Sequence, residues 1–356
     1  KRIKLSMKKK VFYIIGIFLV LFLSTLFFIK KNFEDKEEEN ISTEVSNIMA
    51  CEGNCTLRLI DGISVEAGNE NPFLISAIVD NNEAARPQFS LSKASLVYDV
   101  PAEGGIDRYL AFFPSDLDDD LEIGPIRSVR PYFLTIASEY ESLLLHCGGS
   151  PEALANISKK NLLTLNEFYN SNYYRRYPNY QAPHNVLANY EKIVEYLNDN
   201  NLTESNFIPW KFKTKDLISI DTSNINYRID IKNGQYQYDS SWEYNTSSRT
   251  YLKNIAGKAH LDNTESRIEA DNVILQFVST EILDSALRLK IDLIGEGEAI
   301  ICLDGTCRSG IWKKNSDTDR TIFYYDTGEE IVLNSGKTWV VLINESTSVE
   351  IENFSF

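Results

Sequence analysis

The sequence predicts an α+β protein: a mixed α/β domain followed by a mostly antiparallel β domain, behind a single N-terminal membrane helix. Three observations lead there. Residues 11–29 (VFYIIGIFLVLFLSTLFFI) form an uncharged apolar run of 19 residues, close to the roughly 20 a helix needs to cross the hydrocarbon core. Residues 56–200 mix short apolar runs with helix-like stretches and Gly/Pro turns, the texture of strands and helices in one layered unit. Residues 216–352 give one short alternating run after another, separated by turn pairs such as Asn233-Gly234, Asp304-Gly305 and Thr327-Gly328, the mark of antiparallel β structure.

The N-terminal part reads in three pieces. Residues 1–10 are a basic cytoplasmic end and residues 11–29 the transmembrane anchor. Lys8, Lys9 and Lys10 precede the apolar run, and only Lys30 and Lys31 follow it. The denser basic side stays in the cytoplasm, which places the body outside, single-pass in the plasma membrane. No A-x-A site follows the run, and the first cysteine, Cys51, lies far beyond it, so an uncleaved anchor is expected rather than a signal peptide or a lipid-modified cysteine. Residues 30–55 are an acidic polar stalk with too few apolar side chains to offset the entropy of ordering.

Within 56–200, residues 74–79 (LISAIV) read as a strand ending in the turn Asp80-Asn81-Asn82, with further strands at 94–100 and 108–113 joined through Gly104-Gly105. Pro125 suggests a helix start, with a helix over 126–140 burying Val129, Phe133, Ile136 and Ala137. Residues 142–147 read as a buried strand, and 151–157 as a short helix capped by Ser150. A helix over 187–197 closes the unit. Residues 201–215 form a polar linker. In 216–352 the strand-like runs fall at 217–220, 227–231, 235–238, 272–278, 287–293, 299–303, 321–325, 330–333 and 338–343.

Charge is polarised. Of 36 Lys and Arg, eight lie in residues 1–31, which hold no acid; the remaining 28 face 51 Asp and Glu. So acidic a body repels phosphate backbones, and no nucleic-acid partner is expected. The lipid bilayer, through residues 11–29, and an envelope ligand or a protein partner are the partners expected. No phosphate-binding loop, dinucleotide fingerprint or H-E-x-x-H motif occurs, so no cofactor and no metal site are predicted.

The chemistry-bearing residues concentrate between Arg86 and Val186, in VYDVPAEGGIDRYLAFF (97–113), GPIRSVRP (124–131), LHCGGSP (145–151) and QAPHNV (181–186). Charged groups set among strand-like apolar runs are costly to bury unless they pair with one another or with a ligand. Glu103 and His146 are the acid–base candidates. Arg108, Arg127, Arg130, His184 and Asp99 are the ligand-binding candidates. Arg127 and Arg130, three apart in the first turn of the expected helix, would share a face beside free backbone N–H groups and clamp an anion. The competing reading pairs these arginines with Glu103, Asp99 or Glu139. His184 is expected to cap the following helix or to face His146, and His260 to lie on the surface.

Two cysteine pairs, Cys51/Cys55 in CEGNC and Cys302/Cys307 in CLDGTC, are close enough for local disulfides if the body is extracytoplasmic; zinc thiolates and free thiols are the alternatives. Cys147 adjoins His146, but neighbouring strand residues point to opposite faces, which argues against a thiol–imidazole pair.

Taken together these motifs resemble the YerB-like family, bacterial surface proteins with an N-terminal and a C-terminal domain of unassigned role. The resemblance covers about 59–349. In the first domain it rests on Ala85-Arg86-Pro87-Gln88, Leu91-Ser92-Lys93-Ala94, Val97-Tyr98, Glu103-Gly104-Gly105 with Arg108, Gly124-Pro125 with Arg127-Ser128 and Arg130, His146 with Gly148-Gly149-Ser150, and Ala182-Pro183-His184-Asn185. In the second it rests on Asn272-Val273, Gly295-Glu296-Gly297, Asp304-Gly305, Trp312-Lys313 and Gly336-Lys337-Thr338-Trp339. It implies architecture and location, and no activity. The chain departs from the family pattern in lacking a lipid-attachment motif, in Asp99 where Glu is expected, and in Cys147 where a small residue is expected. The functional expectation is a membrane-anchored extracytoplasmic protein that binds an anionic envelope component or a protein partner through an Arg/His/Glu pocket. The alternative is an envelope enzyme acting on glycan or a phosphate-linked precursor, with Glu103 and His146 as acid and base and Arg127 and Arg130 as the clamp.

Overall fold

The computed structural model describes residues 53–117, 120–213 and 228–352. The residues expected to form a membrane helix, Cys51 and the residues expected to form a strand at 217–220 lie outside them. The described residues are mostly β, with three α-helices: α1 (Pro131–Ala137), α2 (Pro151–Lys160) and α3 (Tyr190–Asp199).

One ten-stranded sheet carries the molecule. In spatial order its strands are Ile322–Tyr325, Thr306–Lys314, Gly295–Leu303, Asn272–Phe277, Thr338–Ile343, Leu96–Val100, Arg108–Pro114, Leu74–Asp80, Leu143–His146 and Thr164–Asn166. Strands from the first and second parts of the chain thus hydrogen-bond in one sheet. They meet at a parallel pair, with Val340 opposite Tyr98 and Val341 opposite Asp99. The central strands are buried on both faces, and so they read in sequence as near-continuous apolar runs.

Side chains alternate between two cores with the period of two that a strand imposes. Ile75, Ala77, Val79, Val97, Tyr109 and Ala111 face one core, and Leu74, Ile78, Tyr98, Leu110 and Phe112 the other. The first core is closed by α3 and by an antiparallel sheet that includes Arg228–Lys232, Ser240–Asn245, Thr250–Ile255 and Ser348–Ile351. This sheet brings Ile229, Trp242 and Tyr251 inward. The second core is closed by α1 and α2, with Trp210, Phe323 and Leu333 at its far end. The Asp304-Gly305 turn joins Gly295–Leu303 to Thr306–Lys314 with both residues at positive φ, 52° and 77°, as a tight hairpin of matching twist requires.

Several local expectations are corrected. The helix expected over 126–140 is only Pro131–Ala137, with Pro131 rather than Pro125 in its first turn. The residues before it are extended because their backbone is already engaged. Ile126 N–H donates to Val186 O at 2.7 Å, Arg127 N–H to Ile78 O at 2.8 Å and Val129 N–H to Gly148 O at 3.1 Å. Arg127 and Arg130 therefore do not share a helical face. Residues 186–189 are a strand, paired with Tyr174–Arg176 and Glu122–Ile123, and α3 begins after Asn189, whose side chain caps Lys192 N–H at 2.9 Å. Residues 236–238 form a short 3₁₀ turn, not a strand. His260 is 2% exposed, not on the surface: its Nε2 lies 2.8 Å from Gln88 Oε1.

Candidate functional site

The segment Ile126 to Ser150 organises the site. GPIRSVRP and LHCGGSP lie side by side: Cys147 N–H donates to Arg127 O, Ser128 Oγ to Cys147 O at 2.8 Å, and Ser150 N–H to Val129 O. Two motifs that are separate in sequence become one ribbon, and the charged side chains hang from it in two groups.

The first group centres on Glu103, in a short turn where Gly104 and Gly105 take φ of 74° and 71°. Arg130 Nε bonds Glu103 Oε1, and Arg108 Nη2 lies 3.3 Å from Glu103 Oε2. Arg108 also donates to Ser128 O and Arg130 to Val129 O. Burial opposes the Glu103 charge, but the Arg130 hydrogen bond and the two guanidinium charges outweigh it, and hold the carboxyl below its ordinary range. Burial and the neighbouring Arg130 charge pull Arg108 the other way, below the usual arginine value.

The second group centres on Asp80, at the end of Leu74–Asp80. His184 Nδ1 lies 2.6 Å from Asp80 Oδ2, and Arg127 Nε 3.2 Å from the same oxygen. Arg127 also donates to Pro183 O at 3.0 Å. His184 thus neither caps α3 nor pairs with His146.

The remaining candidates stand apart. His146 is fully buried. Its Nδ1 donates to Gly148 O at 2.8 Å, leaving Nε2 without a hydrogen-bond partner, and burial lowers its pKa. Cys147 points away, with Sγ 3.4 Å from Glu167 Oε2; burial, then the Glu167 charge, push the thiol up to about 11, which keeps it protonated and poorly nucleophilic. Asp99 is in neither group: its Oδ2 accepts from Lys253 Nζ at 2.8 Å, on the opposite sheet. Cys302 and Cys307 form a disulfide across the Asp304-Gly305 hairpin. Cys55 is also disulfide-bonded; Cys51 lies outside the described residues.

Beside the first group opens a pocket of about 200 Å³. Arg130, Pro131, Ser150 and Glu152 line one side, at the start of α1 and α2. Leu283, Asp284, Arg288 and Leu289, from the hairpin that carries Thr280–Ile282 and Leu289–Ile291, line the other. Arg130 therefore joins the Glu103 group to the pocket wall. Arg288 is held by Asp284 at 2.5 Å, and Leu283 makes that side of the pocket apolar and exposed.

Two family models match this chain. The N-terminal domain of a protein of unknown function, DUF3048, covers residues 62–203, and its C-terminal domain covers 227–340. The chain belongs to this YerB-like family of two domains of unknown function. It is 27% identical over 282 residues to Bacillus subtilis "Putative lipoprotein YerB", spanning 78% of this chain and 83% of that one. The crystal structure of the B. subtilis YerB protein superposes with a TM-score of 0.72 at 24% identity, covering 83% of this chain and 99% of that one, and so shares its fold.

Two residues of this YerB-like protein that sequence reasoning passed over prove central. Asp80 ends an apolar strand just before a turn, a position easily taken as turn chemistry. Lys253 sits at the inward phase of Thr250–Ile255, in register with Tyr251 and Ile255, and that phase was the available signal. A third buried tie, Glu139 with Arg320 at 2.8 Å and Lys314 at 3.1 Å, closes the second core. There Arg320 lies against the Tyr140 and Trp210 rings.

Proposed function

We propose that this YerB-like protein is a membrane-anchored extracytoplasmic binding protein that takes a single anionic group of an envelope component at the Arg130 pocket. The observation that carries the reading is the position of Arg130, fixed from behind by Glu103 and lining an open pocket in front. A guanidinium held in this way is preorganised for a carboxylate or phosphate. Arg288 lines the opposite wall. Glu152 and Asp284 match Arg130 and Arg288 in number, so the wall as a whole disfavours a polyanion, while the fixed Arg130 guanidinium suits one small anionic group. The exposed apolar side at Leu283 suits an apolar portion of the same ligand.

The apolar run at 11–29 supports anchoring in the bilayer, with the N-terminus cytoplasmic. The name of the B. subtilis relative, a lipoprotein, supports the same compartment by a different tether. The Cys302–Cys307 disulfide is at home in an oxidising environment. Binding is favoured over acid–base catalysis because Glu103 is held ionised between two arginines, while His146 is enclosed elsewhere.

The test is a titration of the full chain with inorganic phosphate and with a short peptide bearing a free carboxylate. The wild-type protein is expected to bind one of them, with affinity falling tenfold or more in Arg288→Gln and Arg130→Gln. Equal affinity in folded variants, or no binding to either probe, would overturn the pocket assignment. Protease treatment of intact cells checks the topology: digestion of residues beyond 31 is expected, and full protection would refute it.

A further inference from the structure

The pair Asp99–Lys253 is enclosed among aromatic rings and has few hydrogen bonds. Lys253 Nζ is fully enclosed and the Asp99 side chain is 4% exposed. The nitrogen lies over three aromatic rings, 4.5 Å from the centroid of Trp339, 4.9 Å from Trp242 and 5.3 Å from Tyr109. Its single hydrogen-bond acceptor is Asp99 Oδ2 at 2.8 Å. Asp99 Oδ1 has no hydrogen-bond partner, and neither do Trp242 Nε1, Trp339 Nε1 or Tyr109 Oη around it. A buried carboxylate and ammonium are stable when further hydrogen bonds satisfy their remaining atoms; here those bonds are missing. The three rings face the ammonium as cation–π partners, and within this enclosed contact a proton moved from Nζ to Asp99 leaves an amine, which is a nucleophile.

A third carboxyl completes the arrangement. Tyr109 pairs with Asp99 across the sheet. Asp107 lies just before the Arg108–Pro114 strand, near enough to interact with the charges of Asp99 and Lys253. Asn233 Nδ2 bonds Asp107 Oδ2 and fixes it. Burial first, then the Asp99 charge, raise the Asp107 carboxyl well above its ordinary range, so it is supplied as an acid.

We propose that Lys253 and Asp99 join in an intramolecular amide bond, formed by the folded protein itself with Asp107 as proton carrier. A proton first passes from the Lys253 ammonium to the Asp99 carboxylate. The Nζ lone pair then attacks Asp99 Cγ, forming the N–C bond. Asp107 gives a proton to the departing oxygen and recovers one from the nitrogen. The Cγ–O bond breaks with its electron pair on oxygen, and one water leaves. Nothing is oxidised or reduced, and no co-reactant enters. The near contact of the reacting groups supplies the proximity without which amide formation from a free acid is slow. The product ties the Leu96–Val100 strand of the N-terminal segment to the Thr250–Ile255 strand of the C-terminal one. Such a covalent strut suits a protein exposed outside the cell.

The measurement is the intact mass of the reduced, denatured full chain, followed by peptide mapping. A mass lower than the sequence by one water, and a branched peptide joining Asp99 to Lys253, are expected. Lys253→Arg keeps the cation but cannot form the amide, and is expected to restore the full sequence mass. Freshly folded Asp107→Asn is expected to acquire the linkage at least tenfold more slowly; an unchanged rate would remove Asp107 from the step. Full sequence mass in the folded wild-type protein, with Asp99 and Lys253 recovered in separate peptides, would overturn the proposal.

Discussion

Glu103 is the residue on which the pocket geometry turns. It separates two guanidinium groups that would otherwise repel each other in a half-buried site. In Glu103→Gln, Arg108 and Arg130 lose their counter-charge, and the loss of stability is expected to be about 2 kcal/mol, read from the urea midpoint. The carboxyl is lowered in the folded state. Its contribution is therefore complete above the ordinary carboxylate pKa and is lost as pH falls through the folded value. His146 has a different pH window. Its imidazole is held neutral by burial while the unfolded chain takes up a proton near the ordinary value, so stability declines as pH falls below about 6.5. In an NMR titration the His146 ring is expected to reach its midpoint below that of a free histidine. A midpoint at or above the free value would mean that the ring is solvated or paired with an acid.

At the scale of elements, the legible parts of the sequence were those whose partners did not matter. Residues 74–79 read correctly as a strand, and the strand expected over 142–147 is found at Leu143–His146, because burial on both faces leaves an unbroken apolar run. The Asp304-Gly305 hairpin declared itself through its turn pair. The helix expected over 126–140 failed for the opposite reason. Val129, Phe133 and Ile136 recur at helical spacing, but the donors of Ile126, Arg127 and Val129 are claimed by carbonyls distant in sequence. The site suffered the same loss. Glu103 with Arg108 and Arg130 was a pairing that residue types alone allowed, whereas Asp80 with Arg127 and His184, and Asp99 with Lys253, require knowing which strands are neighbours. The start of α3 is a local matter and gives a local test. Asn189→Ala removes the side-chain bond to Lys192 N–H and is expected to cost about 1 kcal/mol, read from the urea midpoint. No change would mean that packing of Ile193 and Leu197 alone sets the helix boundary.

At the scale of the whole molecule, the two family segments share a sheet and both of its cores. The parallel pairing of Leu96–Val100 with Thr338–Ile343 is the seam, and neither segment can keep its central strands covered without the other. Cooperative unfolding follows, since losing one segment would expose the apolar faces and unpaired backbone of the other. The chain carries a direct probe of this. All four tryptophans lie at or beyond Trp210, outside the N-terminal family segment at 62–203, whereas far-ultraviolet circular dichroism reports on both segments. Urea transitions followed by tryptophan fluorescence and by dichroism are expected to coincide. In Val340→Ala, which opens a cavity at the seam, both are expected to move together by about 2 kcal/mol. A fluorescence transition that shifts while part of the dichroism signal stays put would show that the N-terminal segment stands without its partner, and the seam would then be a docking contact between separately stable bodies.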